Sequence, residues 1–347
     1  IDDDKLIVKK YRQIALFNQQ TGEYISNIGK YGRDPYSYGV VSPSINDRYN
    51  EGRVSTFSRG SKEIIEYSVD TREIVNKVNL QDMFLQNSAT LAPAPSRLFD
   101  VFFEDNEHIF GFLSNLYGDS PFRLVRFNED GIIKKAYPQG QSIAERPRRE
   151  NLYFGEAIFY KYSGSVMFKE RHSDTLFVVN DERLCPRYVF DLGEKSPPYQ
   201  DKNEHLFPNK ASYLRSGIPY PYVDRTVYVF IESLIENDDF LIFSTMYEEE
   251  KSFGLFDKNK GTTRISKLPD DPSNGFYNDI DDFIPFRPTY IDRENNKLVG
   301  FVTAEDVLSW FDSNPELASK LSEELKGLSR IQPQDNPIVM IAKLKSH

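Results

Sequence analysis

Residues 168–193, FKERHSDTLFVVNDERLCPRYVFDLG, read as short strands in succession. The first spans 166–169, the second 176–179 and the third 187–190, with polar turns at His172-Ser173-Asp174 and at residues 180–183. β-Branched and aromatic side chains pack well on a pleated surface, while Asn, Asp and Ser bond back to their own backbone and take the turns.

The same unit recurs along the chain. Strand 15–17 passes through Asn18-Gln19-Gln20-Thr21-Gly22 into strand 24–28, and strand 64–67 passes through Val69-Asp70-Thr71-Arg72 into 74–78. Strand 124–127 passes through Asn128-Glu129-Asp130-Gly131 into 132–137, and 254–256 through residues 257–261 into 263–268. Further strand pairs at 98–103 with 109–113, 227–235 with 240–245, and 289–291 with 298–301 are joined by short polar turns. Phe17, Tyr67, Phe127 and Val179 recur at 50-, 60- and 52-residue intervals, and a last unit ends in 339–344. This pattern predicts an all-β chain, a six-bladed β-propeller of four-stranded antiparallel blades, with residues 1–347 as a single domain. The first blade lacks its inner strand and the last its outer strand, so sequence preceding Ile1 is expected to supply both.

One helical signal interrupts the pattern. Thr303 caps a helix over 304–312, and Asn314-Pro315 opens a second helix that Gly327 closes. Leu317, Leu321, Leu325 and Leu328 keep helical spacing, and Glu316 stands four residues before Lys320. This hairpin insert, about 303–329, falls between the second and third strands of the last blade and reads as a lid packed on the sheet. Its acidic second helix (Glu316, Glu323, Glu324) does not suit DNA reading.

Lys and Arg number 43 against 53 Asp and Glu, a net charge of −10, which argues against a nucleic-acid partner. No apolar run approaches the ~20 residues of a membrane helix. Cys185 is the single cysteine, so an intrachain disulfide is excluded; ahead of Pro186 it reads as a small buried filler.

The runs DTLFVVNDERLCPRYVFDLG (174–193), FNQQTGEYISNIGKYGRDPYSYG (17–39) and NPIVMIAKLK (336–345) resemble the six-bladed β-propeller lipoproteins of Bacteroides-type bacteria, a family largely of unknown function. The resemblance covers essentially the whole chain. Where that family reads close to Gly-x-Gly-Pro-Gly-Glu-Tyr, this chain has a degenerate Gly29 to Tyr36. The resemblance implies export to the periplasm or cell surface and a lipid anchor on a cysteine upstream of this chain. It brings no catalytic residues.

Strand alternation places the turns between strands one and two, and three and four, at one end of each blade, where they are short. The long connections, 29–40, 79–97, 138–151, 193–225 and 269–283, fall at the other end, and long loops on a rigid scaffold carry binding residues. Tyr36, Arg146, Arg148, Arg149, Tyr153, Tyr213, Tyr220 and Tyr222 are the candidate ligand-binding residues there, because Arg and Tyr anchor interfaces. Glu170, His172, Ser173 and Asp174 contain the residue types of a hydrolase triad, but neighbours in one turn do not readily adopt its geometry. Asp270, Asp271, Asp279, Asp281 and Asp282, with Asn274 and Asn278, offer oxygen ligands for Ca²⁺ without EF-hand spacing, and read as a solvated acidic loop. His108, His172, His205 and His347 lack metal-ligand spacing.

The expectation is therefore an exported, monomeric binding or scaffold protein that takes a glycan, peptide or protein on its long-loop face, without cofactor, metal or assigned catalytic residues. The alternative is a propeller hydrolase or lyase working through Ca²⁺ in a central channel.

Overall fold

A computed structural model describes residues 4–10, 12–32, 34, 36–39, 52–58, 60–81, 98–105, 107–115, 120–140, 156–197, 228–247, 250–266, 275–293 and 296–344. The chain divides into two compact units, residues 1–224 and 225–347. Both are built from antiparallel meanders, in which every strand pairs with its sequence neighbour.

The first unit holds four sheets. They are β1 (Lys5–Lys10), β2 (Gln13–Asn18) and β3 (Tyr24–Asn27); β4 (Arg53–Ser58), β5 (Glu63–Ser68) and β6 (Ile74–Asn79); β7 (Leu98–Phe103), β8 (Ile109–Leu113), β9 (Phe122–Phe127) and β10 (Ile133–Pro138); and β11 (Ala157–Tyr162), β12 (Ser165–Glu170), β13 (Thr175–Val179) and β14 (Leu184–Val189). The second unit holds β15 (Phe230–Glu236), β16 (Phe240–Tyr247), β17 (Glu250–Asp257) and β18 (Thr262–Ser266), then β19 (Pro288–Asp292), β20 (Lys297–Val302) and β21 (Ile338–Lys343).

Within each unit, neighbouring sheets pack face against face. Ile14, Leu16 and Ile28 of the first pack with Val54, Ile65 and Tyr67 of the second. Phe57, Ile64 and Val78 meet Leu98, Val101, Ile109 and Phe127 of the third. Phe102 stacks on Phe159 at 5.5 Å and Phe112 meets Phe168 at 5.9 Å, joining the third to the fourth. In the second unit Ile235 and Ile242 pack with Ile291 and Leu298. A sheet covered on both faces no longer needs polar residues at alternate positions, which is why β7 (LFDVFF) and β8 (IFGFL) are buried throughout.

One chemical device closes the short turns. The Oδ1 of Asn18 accepts the N–H of Gln20 and Thr21; Asp105, Asn180, Asn237 and Asp257 do the same for the residues two and three ahead of them. The side chain stands in for a turn of backbone, so the turn is specified locally. Within each unit the turns closed in this way lie at one end. Arg126 reaches both Glu104 and Asp181 at 2.6 Å, and the Tyr137 hydroxyl donates to the Asn180 carbonyl at 2.9 Å. In the second unit Lys258 Nζ donates to the Asn237 carbonyl at 2.5 Å and pairs with Glu236 at 2.7 Å, while Arg293 Nε donates to the Glu236 carbonyl at 3.0 Å.

Several sequence expectations are corrected. The four-strand count holds for three sheets; the first, second and last have three strands among the described residues. Strand β11 was absent from the sequence reading, its AIFYKY lacking a clean alternation. Strand β14 begins three residues earlier than expected and runs through Pro186, which an edge strand tolerates because its outer N–H side has no ladder partner. Cys185 is consequently a half-buried strand residue that accepts a hydrogen bond from Asn180 Nδ2 at 3.1 Å, not a buried filler.

The insert has the position expected, between β20 and β21, but its second helix is broken. Helix α1 (Ala304–Ser313) has the Thr303 cap, with Thr303 Oγ1 accepting from Asp306 N and Asp306 accepting in return from Thr303 N. Helix α2 (Pro315–Ala318) ends after one turn, and Ser322 starts α3 (Glu323–Gly327) by accepting from Leu325 N. A local cap thus outcompetes the leucine spacing, and Lys320 lies beyond the end of α2. The packing follows the lid reading: Val307, Trp310 and Leu321 bury against Phe283, Ile284 and Val302.

Candidate functional site

In the first unit the end opposite the turns closed by Asn18, Asp105 and Asn180 carries two features, an exposed loop and a buried ionic seam. The loop follows β3. Ile28 N donates to the Ile14 carbonyl, and the Tyr38 hydroxyl accepts from Ile14 N at 3.1 Å, so both ends of the loop are tied to β2. Between them Tyr38 N donates to the Lys30 carbonyl and Gly32 N to the Tyr38 carbonyl. Asp34 holds the middle: it accepts from Ser37 Oγ at 2.7 Å and Tyr36 N at 2.9 Å and pairs with Lys30 at 3.0 Å. The Ser37 hydroxyl and the Lys30 ammonium together hold the Asp34 carboxyl down at about 2.

Gly29 makes the entry possible. Its φ is +63°, and a Cβ there would stand 2.6 Å from the buried ring of Tyr67. Gly29→Ala is expected to destabilise the fold by about 1–3 kcal/mol through backbone strain and overpacking; an unchanged denaturation midpoint would contradict this. What the loop presents is aromatic. Tyr36 is 74 % exposed and Tyr31 44 %, and the Arg12 guanidinium lies over the Tyr31 ring at 5.1 Å.

The seam lies between the third and fourth sheets. Arg123 Nε stands 3.2 Å from Glu170 Oε2 and donates to Gln139 Oε1 at 2.9 Å, with its guanidinium over the Phe177 ring. Ser114 Oγ donates to Glu156 Oε2 at 2.8 Å, and Arg171 N to the Glu156 carbonyl. Lys169 Nζ donates to the carbonyls of Glu170 and Ser173 at 3.0 and 2.5 Å. Complete burial pushes the Lys169 amine down to about 7, against the pull of Asp174 and Glu170. Arg123, Glu156, Lys169 and Glu170 are all buried, and buried charges persist in pairs or with full hydrogen bonding. The seam therefore fixes the ends of β9 and β12.

Tyr36 is the one sequence-predicted binding residue in this loop. Arg146, Arg148, Arg149, Tyr153, Tyr213, Tyr220 and Tyr222 lie outside the described residues. The triad types sit as the turn reading expects: Ser173 Oγ accepts from Thr175 N, and Asp174 accepts the Thr175 hydroxyl at 2.7 Å. In the second unit, Asn278 and Asp281 cap their own turn, bonding Ile280 N and Phe283 N, and Asp282 takes the Tyr277 hydroxyl. Asp270, Asp271 and Asn274 lie outside the described residues. Among the described residues, Glu104, Asp105 and His108 bring carboxylate and imidazole atoms within 4.8 Å of one another. Arg126 already pairs with Glu104, and Asp105 closes its turn on Glu107 N and His108 N. The sequence reading passed over Arg123, Glu156 and Lys169, which lie far apart in the chain and meet only when the sheets stack.

No helix among the described residues is long and apolar enough to cross a membrane. A search of curated proteins finds no match. Among solved structures, the chain is similar to a protein from Bacteroides fragilis described as exported, at 16 % identity and a TM-score of 0.62, covering 99 % of this chain and 91 % of that one. It is also similar to a member of the DUF4221 family from Bacteroides vulgatus, at 11 % identity and a TM-score of 0.52, covering 99 % and 94 %. At these identities the likeness shows a shared fold. The family described as "Domain of unknown function (DUF4934)" matches residues 1–343, and the chain belongs to it.

Proposed function

We propose that the six sheets are the blades of a single propeller and that the protein is an exported, monomeric binding protein. It captures a glycan, peptide or protein partner at the end of the blades that carries the long connections. The observation that carries this reading is the 29–39 loop, which is pinned by backbone and Asp34 hydrogen bonds while holding Tyr36 in solvent. A rigid loop that exposes a large aromatic ring loses little entropy on binding. Export is supported by the name of the similar Bacteroides fragilis protein, and attachment through an upstream lipid anchor belongs to the same reading.

The purified chain on a combined glycan and peptide array tests the placement. Joint substitution of Arg146, Arg148, Tyr220 and Tyr222 by Ala is expected to abolish capture, while Thr21→Ala with Asn259→Ala at the short turns leaves it intact. The reverse pattern would move the binding end to the short turns.

A further inference from the structure

We infer that the loop of residues 29–39 is a carbohydrate subsite, shaped for an uncharged glycan. The inference rests on the reading above that this end of the blades binds ligand, and it names the ligand class. The large apolar side chains that the described part of this loop exposes are Tyr31 and Tyr36, both aromatic. Peptide anchors want apolar pockets, whereas a sugar ring lays its C–H face on a flat aromatic ring and keeps its hydroxyls wet. A tyrosine also offers a phenolic hydroxyl as donor and acceptor beside that face.

The polar groups around the rings fit the same ligand. Lys30 and Asp34 form an ion pair at 3.0 Å, whose ammonium and carboxylate supply donors and acceptors for hydroxyls. The Arg12 guanidinium lies over one face of the Tyr31 ring at 5.1 Å. The chain's net charge of −10 works against a polyanion. The loop is also preformed. Asp34 bonds Ser37 and Tyr36, and the Tyr38 hydroxyl is tied to β2, so the rings need not be ordered by the ligand.

Affinity gel electrophoresis of the full chain tests this, in gels containing xylan, galactomannan, amylopectin or mixed-linkage β-glucan as uncharged probes and polygalacturonate as the charged one. At least one uncharged polysaccharide is expected to retard the protein. Tyr36→Ala is expected to weaken that binding roughly ten-fold, as loss of an aromatic anchor does, with an unchanged melting temperature because the ring is in solvent. No retardation by any uncharged probe, retardation by polygalacturonate alone, or retardation indifferent to both Tyr36→Ala and Tyr31→Ala would overturn the subsite. A peptide array separates the two readings. Peptide capture lost in Tyr36→Ala keeps this end as the binding end and overturns the glycan class; capture of neither glycans nor peptides overturns both.

Discussion

Arg123→Ala is expected to lower the stability of the first unit by about 3–5 kcal/mol, because it removes a counter-charge from a buried carboxylate. Glu170 is 1 % exposed and its Oε2 lies 3.2 Å from Arg123 Nε, so the carboxylate is stabilised by this neighbour rather than by bulk water. The same substitution takes the donor from Gln139 and the cation from the Phe177 face. Urea denaturation followed by circular dichroism reads the effect as a lowered midpoint. A loss below about 1 kcal/mol would mean that the pair behaves like a surface ion pair. The double variant Arg123→Met with Glu170→Leu is expected to recover much of the loss, since an apolar pair of similar volume removes both desolvation penalties.

The second large effect is on pH. Lys169 has its amine pushed down to about 7, from an ordinary value of 10.5, chiefly by burial. Between those two values the unfolded chain binds more protons than the folded one, so stability rises with pH across that window. Below about 7 both states hold the proton and the full burial penalty remains. At about 1.4 kcal/mol per pH unit, the gain from pH 7 to pH 10 is of the order of 3–4 kcal/mol. Lys251, also held down by burial, acts in the same direction. Above pH 10 the trend reverses, because burial pushes the phenols of Tyr38, Tyr67 and Tyr137 up, Tyr137 to about 12, and the folded state then holds the extra protons. Thermal melts in matched ionic strength should therefore peak near pH 10. Lys169→Met should flatten most of the rise between pH 7 and 10; a variant that keeps the full slope would assign the effect elsewhere.

Legibility in the sequence followed the range of the forces. Turn residues act within three positions of themselves, so Asn18, Asp105, Asn180, Asn237 and Asp257 marked their hairpins correctly. Strands 98–103 and 109–113 stood out as a pair flanking a short polar turn, and the structure gives those bounds. Strand β11 did not stand out, because AIFYKY lacks a clean alternation and most of the strand is only half-buried. The break in the insert turned on Ser322, a single hydroxyl against four leucines. Of the binding end, Tyr36 was readable as an aromatic in a long connection. Arg12 was not, since its partner Tyr31 is reached only when β1 folds back on β2. The seam was beyond reach for the same reason: Glu156 meets Ser114 across 42 residues and Arg123 meets Glu170 across 47.

The meander pairing of the sheets bears on how this chain acquires its shape. Because each strand within a sheet bonds to its sequence neighbour, most sheets close from residues made in quick succession, and the average loop to be closed is small. A nascent chain emerging from its N-terminus can complete one meander and use the finished face as the template for the next, in the nearest-neighbour manner of repeat arrays. Kinetic barriers should then concentrate at the transfer from one meander to its neighbour. Pulse-labelled amide exchange is expected to show β1 to β3 protected before β11 to β14.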